Sequence, residues 1–166
     1  MALFAGRLDV IPASLSVATP SLFWASMLAG RAAVPLVLRR IPEARVLGAS
    51  LLLGTAGVAL LAASRSGTAL AISIVMAGLG LSTVFPLTFA QFTRDLGPDA
   101  VRRAGSVFVL AGLGGAVLPL LVGFVSTTAG SLSAGLLVPL AGCIAFLLLR
   151  AWCARRPGVA PVRARW

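Results

Sequence analysis

The chain has 166 residues, 59% hydrophobic and only 11% charged, and its 14 basic residues against 4 acidic ones give a net charge of +10. Soluble domains run at about 45–50% apolar and about 25% charged, so a mean hydropathy of +1.04 with so few charges cannot supply a water-facing surface. A soluble enzyme, a disordered tail and a nucleic-acid-binding domain are excluded, and an integral membrane protein remains.

A membrane helix needs about 20 predominantly apolar residues. Residues 1–19 read as an extracytoplasmic segment. The first span is expected over 20–38, starting at Pro20-Ser21, a favourable helix start, and interrupted only by Arg31. An uncharged window over 10–30 competes with it, but Pro12, Ser14, Ser16 and Pro20 make that window a poor helix. The second span, 46–64, is bracketed by Arg45 and Arg65. The third, 68–93, lies in the uncharged stretch between Arg65 and Arg94. Residues 104–149 contain no charge at all and hold two spans, 104–126 and 132–150. Their turn is marked by the polar cluster from Ser126 to Ser133. The expected fold is therefore all-α, with a membrane domain over 20–153 and a basic cytoplasmic tail over 154–166.

Orientation follows from the arginines, because cytoplasmic loops retain positive charge. With the C-terminus inside, Arg39, Arg40, Arg45, Arg94, Arg102, Arg103, Arg150, Arg155, Arg156, Arg163 and Arg165 are all inside, and only Arg7 and Arg65 are outside. The positive charge then belongs to cytoplasmic loops beside anionic lipid headgroups rather than to a nucleic-acid surface. Five spans place the N-terminus outside on a short tail without a signal sequence, which leads us to expect that something precedes residue 1.

The chemistry is restricted by what the chain lacks. It has no His, Tyr or Lys, so the commonest general base and metal ligand are missing. Cys143 and Cys153 are ten apart with no CxxC spacing, which supports neither a zinc site nor a structural disulfide. No in-span acid and no paired catalytic residues occur, so no enzyme, cofactor or metal is expected. The two glycine runs do not complete a dinucleotide loop, since Thr83 and Val117 stand at the third glycine position. Arg31 is the one charge within a span, and it precedes Arg39 by eight residues, or about 12 Å of helix. It reads either as an anchor that snorkels to the inner interface or as a gate and interhelical hydrogen-bond partner.

The stretch from Phe23 to Arg40, FWASMLAGRAAVPLVLRR, places Gly30-Arg31 near the inner end of a span and Arg39-Arg40 at a short loop. This resembles the cytoplasmic gate motif of the major facilitator superfamily, here between the eighth and ninth helices of a twelve-helix transporter. The family's usual acidic residue before the basic cluster is replaced by Met27, Leu28 and Ala29. Span three, with Gly78, Gly80 and Pro86, and span four, with Gly112, Gly115 and Pro119, are similar to the tenth and eleventh helices of the fucose and glucose/galactose permease branch. The small residues make packing seams, Gly78/Ser82 and Ala111/Gly115 among them, and the prolines kink their helices. The resemblance implies the last five helices of twelve, part of a C-terminal six-helix bundle in a bacterial inner membrane. It also implies an N-terminal half or partner chain beyond this one, and a small polar solute such as a sugar, moved by alternating access.

On span three, Thr88 and Gln91 share a helix face and Phe85, Phe89 and Phe92 form an adjacent aromatic stripe. An amide for hydroxyls and a ring for a pyranose face suit a sugar. The plainer reading is a Gln91 bonded to a neighbouring helix and a Phe stripe facing lipid. Ser82 and Ser106 are weaker candidates. Asp9, Glu43, Asp95 and Asp99 all fall outside the spans, so no proton-coupling carboxylate is expected in this part. The competing reading is a stand-alone five-helix membrane protein with a structural or interaction role.

Overall fold

The computed structural model describes residues 13–96 and 100–155. Among these residues six helices follow one another: α1 (Ala13–Leu38), α2 (Glu43–Ala63), α3 (Gly67–Leu81), α4 (Val84–Leu96), α5 (Ala100–Thr128) and α6 (Leu132–Ala154). Among the described residues there is no strand. Among the described residues, five stretches are long and apolar enough to cross a membrane: Ala18–Leu38, Glu43–Ala63, Gly67–Asp95, Arg103–Thr128 and Leu132–Ala154. The third of these joins α3 and α4.

The first helix begins earlier than the prolines suggest. It starts at Ala13 and runs through both Pro20 and Pro35. Each internal proline removes one backbone bond, whereas unwinding a whole turn would orphan several groups. Continuing the helix is the smaller loss. The rest of the expected outer segment, residues 1–12, and the expected tail from residue 156 onward lie outside the described residues.

Local chemistry sets the helix ends. Arg40 and Ile41 both donate their backbone N–H to the Val37 carbonyl, at 3.1 and 3.0 Å, and close off α1. Glu43 sits in the first turn of α2, where a carboxylate complements the helix dipole. The Ser66 hydroxyl caps α3 by accepting from the Ala69 N–H at 3.3 Å. α5 ends in a Schellman turn: Ser131 N–H donates to the Ser126 carbonyl and Gly130 N–H to that of Thr127. Gly130, at φ +62°, takes the left-handed position that this turn requires.

Packing centres on α2 and α3, which run antiparallel and approach to backbone contact. A Cβ on Gly80 would lie 2.1 Å from Gly54 N, and one on Gly57 would lie 2.4 Å from Ala77 N. α1 lies parallel to α3 along a second seam with reciprocal partners. Ser26 fills the space above Gly78, and Ser82 fills the space above Gly30. Both serines return their hydroxyls to their own helices, Ser26 to the Phe23 carbonyl at 2.8 Å and Ser82 to that of Leu79 at 2.6 Å. They therefore act as small, polar-satisfied knobs. Leu61, Leu70 and Ile74 form a buried cluster toward one end, with Phe23 and Leu136 against it. Val46, Leu47 and Leu87 form another toward the arginine-rich end.

α6 packs against α2 and α5, and α5 stands at the margin. Leu110, Leu120 and Phe124 of α5 are 67%, 71% and 67% exposed, so this apolar helix shows most of its surface to the surroundings.

Candidate functional site: the kinked third span and the arginine end

The third span is interrupted at Ser82-Thr83, where α3 ends and before α4 begins. The cause is four residues downstream. Pro86 has no N–H for the Ser82 carbonyl, and its ring crowds that oxygen. Ser82 itself keeps helical dihedrals (φ −56°, ψ −35°), and the backbone ladder resumes with Leu87 N–H to the Thr83 carbonyl at 3.0 Å. The span is kinked rather than unwound.

The freed Ser82 carbonyl finds its donor on α1: Arg31 Nε donates to it at 3.4 Å. The residue beside it makes this reach possible. A Cβ on Gly30 would fall 2.2 Å from Ser82 Oγ and 3.1 Å from the Leu79 carbonyl oxygen, so only glycine lets α1 sit this close. Gly30 and Arg31 thus act as one device, the glycine supplying the approach and the arginine the hydrogen bond. Arg31 thus makes an interhelical hydrogen bond while its side chain stays exposed.

The remaining charges gather at the same end of the bundle. Glu43, at the start of α2, pairs with Arg94 in the last turn of α4. Arg94 is exposed while Glu43 is half-buried with its Oε1 unpartnered, and a pair with one partner open to water contributes on the order of 1 kcal/mol. Arg150 Nη2 on α6 donates to the Ala44 carbonyl at 3.1 Å, so α2 is tied at one end to both α4 and α6. Arg39 and Arg40 project from the turn after α1, exposed and without an ion pair among the described residues.

Between α1, α2 and the kink lies a cavity of about 280 Å³. Its walls are apolar, from Val34, Val37, Val46 and Leu79, with Arg45 among the lining residues and Thr83 at the kink. Thr83 is only 4% exposed, and its Oγ1 is buried with no hydrogen-bond partner. An unsatisfied buried hydroxyl costs about 1–3 kcal/mol. Thr83→Val keeps the shape and removes that cost, so it should leave the melting temperature unchanged or raise it in detergent. A fall of several degrees would show that the hydroxyl is satisfied.

The aromatic stripe of α4 turns toward α5. Phe85 and Phe89 stack with ring centroids 6.0 Å apart, Phe89 meets Phe108 of α5 at 5.1 Å, and Phe92 continues the row at 6.3 Å from Phe89. Sequence reasoning did not single out Phe108, because nothing in the spacing of one helix reveals the ring opposite it. Thr88 Oγ1 is buried without a partner, and Gln91 is half-buried with no side-chain hydrogen bond among the described residues. Neither lines the cavity beside the kink. Thr88 and Gln91 remain on the α4 face, and the rings beside them are engaged by α5. The Ser106 hydroxyl bonds its own helix at the Arg103 carbonyl, 2.7 Å away.

The glycines separate into two groups. Gly78 and Gly80 lie at close approaches, whereas Gly112 and Gly115 have nothing within 4 Å of an added Cβ. Pro119 lies inside α5, which continues through it. Gly54 and Gly57, which complete the central seam, escaped notice although their spacing places them on one helix face. The Arg31 contact also had a signal, since counting four back from Pro86 gives Ser82.

In comparisons with models of protein families, with curated proteins and with solved structures, the chain matches none.

Proposed function

We propose that this chain is a helix bundle of a multi-pass membrane transporter resembling the major facilitator superfamily, working against a second bundle to move a small polar solute by alternating access. The observation that carries this reading is the joint where Gly30-Arg31 docks on the proline-freed carbonyl of Ser82, near the end where the arginines collect. A closely packed parallel seam locked by one long hydrogen bond can hold a kinked helix in one conformation and release it in another. The broad apolar face of α5 fits an element that meets a partner in the bilayer, whether the second bundle or lipid. On this reading Phe85, Phe89, Thr88 and Gln91 supply the solute-facing surface, with Thr88 and Gln91 offering uncommitted polar groups.

Alone in proteoliposomes the chain should show no saturable uptake of sugars, and uptake should appear when the complementary bundle is co-reconstituted. Saturable uptake by the chain alone, or none with any upstream partner, would sink the reading in favour of the five-helix structural protein. Orientation is tested separately by single cysteines in a background lacking Cys143 and Cys153. Arg65→Cys should react with an impermeant maleimide from the outside of intact bacterial cells, and Arg40→Cys only in inverted inner-membrane vesicles. The reverse pattern would reject the topology.

A further inference from the structure

We infer that the cavity beside the kink is a binding site for one anionic phospholipid, with a single acyl chain in the groove and the phosphate at Arg45. The inference does not depend on transport. The groove follows α1 from Val37 down to Gly30, about 10 Å by helix rise, with Ile41 of the following turn at its mouth, and its volume of about 280 Å³ is just below the usual range of small-ligand sites. Its walls offer an aliphatic chain contact from Val34, Val37, Val46 and Leu79.

The charge at its mouth chooses the headgroup. Arg45 lines the cavity, and Arg39 and Arg40 line an adjoining surface hollow with Ile41 and Val37 common to both. Glu43 is the one acid in this loop, and it is committed to Arg94. The mouth therefore presents three guanidinium groups with no ion pair among the described residues, each able to grip a phosphate through paired donors. A zwitterionic headgroup would bring its own cation into this positive field. Basic pockets between membrane helices are suited to anionic headgroups for this reason.

Diffuse attraction of arginines to any anionic surface is the competing account, and it is separated by a variant that changes the groove and no charge. The probe is the full chain in nanodiscs of mixed phosphatidylglycerol and phosphatidylcholine, ejected for native mass spectrometry. One phosphatidylglycerol per chain should be retained, in preference to phosphatidylcholine. Ala33→Phe, which fills the groove, and Arg45→Gln should each reduce retention at least fivefold, and Arg65→Gln at the opposite end should not. Thr83→Val, which preserves the size and charge of the groove, should retain the lipid. Circular dichroism of each variant separates loss of lipid from loss of fold. If Ala33→Phe stays folded, Ala49→Leu on the facing wall of the groove is unnecessary, and if it does not, Ala49→Leu takes its place. Equal retention of both lipids, or retention unchanged by the groove-filling variant, would overturn the proposal. Loss in Thr83→Val would do so too, because it would show an occupant hydrogen-bonded at depth rather than an acyl chain.

Discussion

Gly80→Ala should destabilise the bundle by about 1–3 kcal/mol, whereas Gly115→Ala on α5 should be neutral or slightly stabilising. Two effects oppose each other at Gly80. Alanine gains up to about 1 kcal/mol of helix propensity over glycine. Against this, the new Cβ would lie 2.1 Å from Gly54 N, 2.5 Å from Gly54 Cα and 2.7 Å from the Ser50 carbonyl oxygen. These are backbone atoms and cannot rotate away, so α2 and α3 must separate by about 1 Å. A gap of that size forfeits roughly a quarter to a half of each van der Waals contact along the seam. In a bilayer no hydrophobic force between helices makes up the loss, so packing wins over propensity. Gly115 meets nothing within 4 Å and retains only the propensity gain. Thermal unfolding of both variants in one detergent measures the contrast. Equal effects at the two sites would show that the α2–α3 approach is not what holds the bundle.

The second large effect is a coupling between residues 55 positions apart in sequence. Arg31→Leu leaves the carbonyl of fully buried Ser82 without a donor, which should cost about 1–3 kcal/mol. Pro86→Ala supplies the missing N–H four residues downstream and restores the helical bond. In that background the loss on removing Arg31 should shrink to about 0.5 kcal/mol or less. A double-mutant cycle should therefore return a coupling of about 1–2 kcal/mol. If Arg31→Leu costs the same with and without Pro86, the side chain contributes through packing or charge and not through the Ser82 carbonyl. Under the proposed function, Pro86→Ala in the assembled transporter should slow solute uptake more than tenfold without lowering the melting temperature, because straightening the third span removes the joint.

The weaker contacts follow the same reasoning. The Glu43–Arg94 pair lies where water and salt screen it, and the Ser26 and Ser82 hydroxyls bond their own helices, so none of these decides the architecture alone. What they do is make close approach tolerable for polar atoms. The seams themselves rest on the absence of side chains at Gly30, Gly54, Gly57, Gly78 and Gly80.

Much of the architecture was legible in the residues before any fold was known. Length and hydropathy alone mark the five stretches long and apolar enough to cross a membrane, and charges mark where each can end. Pro86 announced a kink and Gly78 a seam, because the missing N–H and the missing Cβ are properties of single residues. Pro20 lies close to the start of the apolar span Ala18–Leu38 but not of its helix, which runs from Ala13, because local preference at one proline is outweighed by the many bonds of a continuing helix.

Partnership is what only the tertiary structure decided. The same glycine spacing occurs on α3 and α5, yet Gly78 and Gly80 meet neighbours while Gly112 and Gly114 meet none. The row of phenylalanines on α4 has no visible partner in sequence, and Phe108 becomes one only when α5 folds back beside it. The contact between Arg31 and Ser82 likewise needs α1 and α3 to lie parallel with Gly30 against the kink. Periodicity states which face of a helix is small, apolar or aromatic, and that is an intrasegment property. Which faces meet depends on crossing angles and on competition among all the segments at once.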